Sequence, residues 1–260
     1  MDTNLKGKTA IIFGAGRANG VGAATAKLLA QEGCNLLLNC RQNESQALQV
    51  ANECKSFGVE AEVFMADIST SGACKDMAKY VENKWGVADV LVNSIGTTKI
   101  VPYNRLDELT EDDFARIFAV NVTAAYLIAQ AFEKLLRKSA NASIVNVSSA
   151  AAMSGSGSSI AYAASKGALN TLTLALARAL APAVRVNAVC PGFIDSSWWD
   201  ESFGTDKEKY QSMLEKLSKQ NPLQQIIKPV DVANVIVNII KTSKMTGELI
   251  RLNAGSHIMG

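Results

Sequence analysis

Short apolar runs rich in β-branched residues alternate along the chain with longer stretches whose apolar residues recur at three- and four-residue spacing. Residues 9–13 (Thr-Ala-Ile-Ile-Phe) predict a buried strand, and the alanine-rich residues 23–31 predict a helix that stops before Gly33. The same alternation predicts strands over residues 35–39, 61–65, 89–92, 143–147, 185–189 and 248–252. Between them it predicts helices over residues 46–57, 72–85, 113–137, 162–180 and 230–241, with Thr110 as a cap for the third of these. Strands alternating with helices throughout predict an α/β fold, one doubly wound parallel sheet with helices on both faces. No linker, repeat or low-complexity tract divides it, so residues 1–260 read as a single domain. The alternation stops only between Gly192 and Pro222. There Phe193, Trp198, Trp199 and Phe203 mix with polar residues, and residues 207–219 form a short amphipathic helix. A long insertion after the C-terminal end of a strand is where a lid over a ligand sits, so we expect residues 193–222 to be a substrate-binding lid. Trp198 and Trp199 either pack this lid against its own domain or give the pocket an apolar wall.

The chain is 48% hydrophobic, enough for a large core. Its net charge of +2 comes from charges of both signs scattered throughout, which argues against a nucleic-acid surface. The first residues carry no apolar leader and no apolar run reaches the length of a membrane span, so we expect a cytoplasmic protein without a membrane partner. Five cysteines (34, 40, 54, 74 and 190) are an odd count without metal-ligand spacing and read as reduced thiols. The single histidine, His257, cannot build a histidine-rich site, and we expect no metal.

The candidate chemistry gathers between Ser149 and Lys166. Tyr162 and Lys166 are four residues apart, hence on one helix face, one turn apart. A free tyrosine has a pKa of about 10. An ammonium within reach favours the phenolate, and a tyrosine tuned this way can exchange a proton with a substrate oxygen. Ser149 follows an apolar run, at the C-terminal end of a predicted strand where open α/β sheets bind ligands. Near the N-terminus, Gly14-Ala-Gly16-Arg17-Ala-Asn19-Gly20-Val21-Gly22 lies between a strand and a helix, the context in which glycines let the backbone approach a pyrophosphate. After the second strand, where an NAD site places a carboxylate, stand Cys40 and Arg41. With Arg17 in the glycine loop, two guanidinium groups suit a 2′-phosphate, so we expect NADP rather than NAD.

Taken together and in order, the glycine loop at 14–22, Asp67, Asn93-Ser-Ile-Gly96, Asn121, Ser149, Tyr162-x-x-x-Lys166 and Pro191-Gly192 resemble the classical short-chain dehydrogenases/reductases over nearly the whole chain. The resemblance implies a Rossmann fold and an NADP(H)-dependent interconversion of a carbonyl and a secondary alcohol. It implies Tyr162 as the proton donor or acceptor, Lys166 lowering its pKa and holding the nicotinamide ribose, Ser149 holding the substrate oxygen, and Asn121 supporting a water chain to the lysine. Ser149 rather than Ser148 matches, because it lies thirteen residues before the tyrosine. For the cofactor it implies Gly14, Gly16, Arg17, Gly20, Val21 and Gly22, then Arg41, Asp67 and Ile68 near the adenosine end. Asn93 would brace the central strands, and Gly96, Pro191, Gly192 and Ile194 would complete the nicotinamide end. It further implies a homodimer or homotetramer paired through the 162–180 helix and the one before it. Three features depart from the family pattern. Phe13 stands where a threonine is usual, the loop is two residues longer between Gly14 and Gly20, and Asn253-Ala254-Gly255 replaces Asp-Gly-Gly. A 3-oxoacyl thioester reductase, a sugar or polyol dehydrogenase and a non-catalytic dinucleotide-binding protein all stay open as readings.

Overall fold

The computed structural model describes residues 4–199, 204 and 206–258. Within them seven parallel strands form one sheet in the order β3-β2-β1-β4-β5-β6-β7. The strands are β1 (Thr9–Phe13), β2 (Asn35–Cys40), β3 (Ala61–Met65), β4 (Val90–Asn93), β5 (Ala142–Val147), β6 (Val184–Pro191) and β7 (Leu249–Leu252). The helices between them are α1 (Val21–Gln31), α2 (Glu44–Lys55), α3 (Ser71–Trp85), α4 (Glu111–Phe118), α5 (Ala124–Leu136), α6 (Ala151–Ser154), α7 (Ile160–Leu180), α8 (Lys207–Gln220) and α9 (Pro229–Lys241).

Successive strand residues point to opposite faces, and both faces are covered, so the strands are apolar throughout rather than alternating. Ala10, Ile12, Leu36, Leu38, Val90, Val92 and Val145 join α1 and α9 in one buried cluster. Ile11, Phe13, Leu37, Leu91, Ile144 and Val186 join α3, α5 and α7 in the other, where Phe13 meets the Phe132 ring edge-on at 5.9 Å. The order reverses at β1, which pairs with β2 on one side and β4 on the other. That reversal opens a crevice at the C-terminal ends of β1 and β4, where doubly wound sheets bind ligands.

Two expectations change. The helix predicted over 113–137 begins at Glu111, capped by Thr110 and Asp113 in reciprocal hydrogen bonds, and is interrupted by a π turn at Ala119–Thr123 before α5. The stretch Glu111–Leu136 is also long and apolar enough to cross a membrane, contrary to the expectation from apolar run length. Here its residues Ile128, Phe132, Leu135 and Leu136 are buried against the sheet and α3. The lid expected over 193–222 contains α8, but Phe203 and residues 200–202 and 205 lie outside the described residues. All five cysteines are free and buried.

Candidate active site

The Ser159 hydroxyl accepts the Tyr162 N–H at 3.2 Å and so starts α7. This leaves Tyr162 in the first turn of the helix, next to the mouth of β5. Tyr162 is half-buried and its hydroxyl is bonded to Ser149. Ser149 follows β5 and also accepts the Ala151 N–H at 3.1 Å, which fixes its hydroxyl. Ser148 instead faces inward and donates to the Lys166 carbonyl at 3.3 Å, so the two adjacent serines serve different neighbours. Pro191 at the end of β6 holds this turn by accepting the Ala150 N–H at 2.7 Å.

Lys166 lies one turn beyond Tyr162, buried, with its Nζ 5.8 Å from the centre of the phenol ring. It donates to the Val147 carbonyl at 2.9 Å. Burial pushes its pKa down to about 8. Burial pushes Tyr162 up, and only the Ser149 bond pulls it down. The lowering of the tyrosine expected from Lys166 stays an expectation, with the Nζ one turn away and donating to a backbone carbonyl. The tyrosine stays a neutral hydroxyl at neutral pH, the form that donates a proton.

Asn121 sits in the π turn and is buried. Its Oδ1 accepts the Thr97 N–H at 2.8 Å, and its Nδ2 donates to the Thr97 carbonyl at 3.0 Å and to Ser165 Oγ at 2.9 Å. Ser165 in turn donates to the Tyr162 carbonyl at 2.7 Å. One amide thus ties the loop after β4 to the first turn of α7. The sequence reading missed Thr97 and Ser165. Ser165 had a signal, since it lies three residues after Tyr162 on the same helix face. Asn93 is buried in a chain of bonds from β4 through Asn146 (2.6 Å) to Thr173 on α7 (2.9 Å), and its Oδ1 has no partner.

The glycine loop follows β1. Gly14 adopts φ +83°, and a Cβ there would lie 2.4 Å from the Ser94 carbonyl oxygen. A Cβ on Gly22 would lie 2.5 Å from the Gly14 oxygen, so α1 can start this close to the sheet only with glycine. Gly16 packs on Cys40, the last residue of β2. Val21 is buried as the first residue of α1, behind Gly20, which provides no capping side chain, and the first turn carries no acid. The amides there and the positive end of the helix suit a phosphate, and the residues present fit a dinucleotide. Ala18 and Asn19, inside the longer loop, make contacts of their own. The Ala18 N–H meets Gln46 on α2 at 3.0 Å, and the Asn19 carbonyl accepts from Ser197 in the lid.

Arg41 lies 3.6 Å from Asp67, both mostly exposed, and the Asp67 pKa is lowered first by hydrogen bonds from Ser69 and then by Arg41. Arg17 donates to the Ser197 carbonyl, so the two arginines hold different partners. Ile68 is buried in the core cluster that also holds Ile11 and Phe13. Gly96 lies under the Trp198 ring, Gly192 packs on Asn253, and Ile194 bridges to Ile227.

The family model described as enoyl-(acyl carrier protein) reductase matches residues 14–257. The chain is 32% identical to a 3-oxoacyl-[acyl-carrier-protein] reductase of Staphylococcus aureus over 96% of its length and 98% of that protein's. Among solved structures, a short-chain dehydrogenase of Burkholderia cenocepacia in complex with NADP superposes with a TM-score of 0.85 at 29% identity, covering 98% of this chain and 99% of that one. The aldohexose dehydrogenase of Thermoplasma acidophilum superposes with a TM-score of 0.84 at 25% identity, covering 99% and 97%.

Proposed function

The chain belongs to the short-chain dehydrogenase/reductase family, and from that membership we propose that it is an NADP(H)-dependent oxidoreductase interconverting a carbonyl and a secondary alcohol. The observation that carries the reading is the pair of neighbouring hydroxyls, Ser149 and Tyr162, at the mouth of β5 with the buried Lys166 one turn behind. A carbonyl oxygen placed between them accepts a hydrogen bond from Ser149 and a proton from Tyr162 as charge builds on it. In the alcohol direction the tyrosine takes that proton back. Lys166, fixed on the Val147 carbonyl, puts a positive charge beside the forming phenolate. Bound nicotinamide supplies the hydride. Gly14, Gly16, Gly20, Val21 and Gly22 would hold the phosphates, and Lys166 and Tyr162 the ribose.

The preference for NADP rests on the end of β2. Cys40 is buried under Gly16, and Arg41 follows it in place of a carboxylate. The Arg41–Asp67 pair is exposed and worth about 0–1 kcal/mol, so a 2′-phosphate competes for the guanidinium at little cost. The NADP complex of the Burkholderia cenocepacia relative supports the same choice. We place the work of the protein in the cytoplasm, where five free thiols stay reduced.

A 3-oxoacyl thioester is the first substrate to try, given the Staphylococcus aureus relative. The test follows NADPH absorbance with an acetoacetyl thioester, a crotonyl thioester and a panel of sugars and cyclic ketones. Consumption with the ketones or the oxo-thioester is expected. Consumption with the crotonyl thioester alone sinks the carbonyl reading, and binding without any consumption favours a non-catalytic dinucleotide-binding protein.

A further inference from the structure

The segment that follows β6 runs back across the ends of the sheet. Its base is well held. Ile194 bridges to Ile227, the Asp195 N–H donates to the Ile227 carbonyl at 2.8 Å, and the Asp195 carboxylate accepts the Tyr210 hydroxyl of α8 at 2.8 Å. Trp199 stacks on Phe193 at 4.6 Å between ring centres, and its indole N–H donates to the Ile194 carbonyl at 3.1 Å. Trp199 is therefore packing within the strap. The tip behaves differently. Ser197 has crossed the ends of β5 and β4 and lies on the glycine loop, where its N–H and hydroxyl both face the Asn19 carbonyl, at 3.4 and 3.3 Å, and its carbonyl accepts from Arg17. Trp198 projects from that tip into the crevice. A Cβ on Gly96 would lie 3.2 Å from its Cη2 and 3.5 Å from its Cζ3.

A dinucleotide lying along the ends of β1 and β4 has to pass between the glycine loop and Gly96. Ser197 and Trp198 hold that passage. We propose that Trp198 is a self-docked plug of the dinucleotide crevice, held in place by the Ser197 strap and displaced when a dinucleotide enters. This rests on the reading that the crevice takes a dinucleotide. The glycine loop gives the plug its seat, since Asn19 provides the carbonyl on which Ser197 rests. The contacts of Ser197 with Asn19 are near the long limit for hydrogen bonds, and the Arg17 guanidinium also holds the tip through the Ser197 carbonyl.

A plug lowers affinity by the fraction of molecules in which the crevice is open. Calorimetric titration with NADP⁺, in the absence of any substrate, should show Trp198→Ala binding about three- to tenfold more tightly than the unmodified protein, with Trp198→Leu in between. Leucine keeps an apolar side chain and guards against a folding defect in the alanine variant. A second reading uses the protein carrying Trp85→Phe and Trp199→Phe, in which Trp198 is the only one of the three tryptophans left. Its emission should shift to the red, and its quenching by acrylamide should rise, as NADP⁺ is added. Unchanged or weaker binding by both Trp198 variants overturns the plug, and weaker binding makes the indole part of the binding wall. Unshifted emission at saturation overturns it as well. If neither the unmodified protein nor the variants bind NADP⁺ or NAD⁺, the dinucleotide reading itself fails and the plug falls with it.

Discussion

Lys166 is a buried cation whose partners among the described residues are a carbonyl and an aromatic ring rather than a carboxylate. Its pKa of about 8 in the folded chain against an ordinary 10.5 has a definite sign. Between these values the unfolded chain binds more protons than the native one, so stability rises with pH through that window, and the cost of the charge is fully present below it. Lys166→Met should therefore raise the thermal midpoint at pH 7 while turnover collapses, and the gain should shrink as the pH approaches 10.5. Thermal denaturation at the two pH values checks it, and a lower midpoint at pH 7 would mean that the bond to Val147 outweighs the desolvation. For Tyr162→Phe we expect a loss of about 10²–10⁴ in turnover with NADPH binding retained, and a variant near full rate has another proton donor. Because burial raises the tyrosine, carbonyl reduction should stay level across neutral pH and alcohol oxidation should climb with pH. Arg41→Asp should move the preference toward NAD(H), measured as the ratio of kcat/KM for the two cofactors. These residues could be singled out in the sequence because their spacing is local to one helix or one loop. The aim of Lys166 at Val147 could not, because it depends on where a strand nineteen residues earlier ends.

At the scale of elements, the strands were legible because each is a short run buried on both faces. The break in the 113–137 helix was not. A π turn keeps helical composition and shifts the register by a fraction of a turn, so no apolar pattern marks it. What marks it is Asn121, an amide with three hydrogen bonds to satisfy that are all outside its own helix. Asn121→Ala leaves the Thr97 N–H and carbonyl without these partners, each costing about 1–3 kcal/mol when buried. We expect a lower thermal midpoint together with a fall in kcat, since the same amide ties the loop after β4 to the turn that carries Tyr162. A fall in stability at unchanged kcat would confine Asn121 to the fold. The glycine loop was legible as a loop, whereas the work of its individual residues was not. Only Gly14 needs a positive φ, while Gly16 is required by the Cys40 side chain and the Gln42 carbonyl, and Gly22 by the backbone of the loop itself.

For the molecule as a whole, the outer side of α7 stays open. Ala164, Thr171, Leu174, Ala175, Arg178 and Ala179 are exposed there, while Leu169, Thr173, Leu176 and Leu180 are buried. An uncovered side made mostly of small and apolar residues fits the expected pairing of subunits through α7. We expect a dimer or tetramer in light scattering at micromolar concentration, and a monomer mass would rule it out. Leu174→Glu should shift the mass downward, since a charge on each copy would meet its twin across a twofold axis.

The strand order has a consequence for how the molecule is made. Reading the chain from its start, β2 and β3 add in turn to one side of β1, and β4 to β7 add in turn to the other. No strand has to be inserted between two that are already paired. The growing chain can therefore lay down its sheet as it leaves the ribosome, each new strand finding a free edge, without reopening what has formed. The ligand crevice exists once the fourth strand has docked, whereas Ser197 and Trp198 are synthesised after the sixth. A nascent chain thus has its nucleotide-binding half in place, and uncovered, before its own cover has been translated.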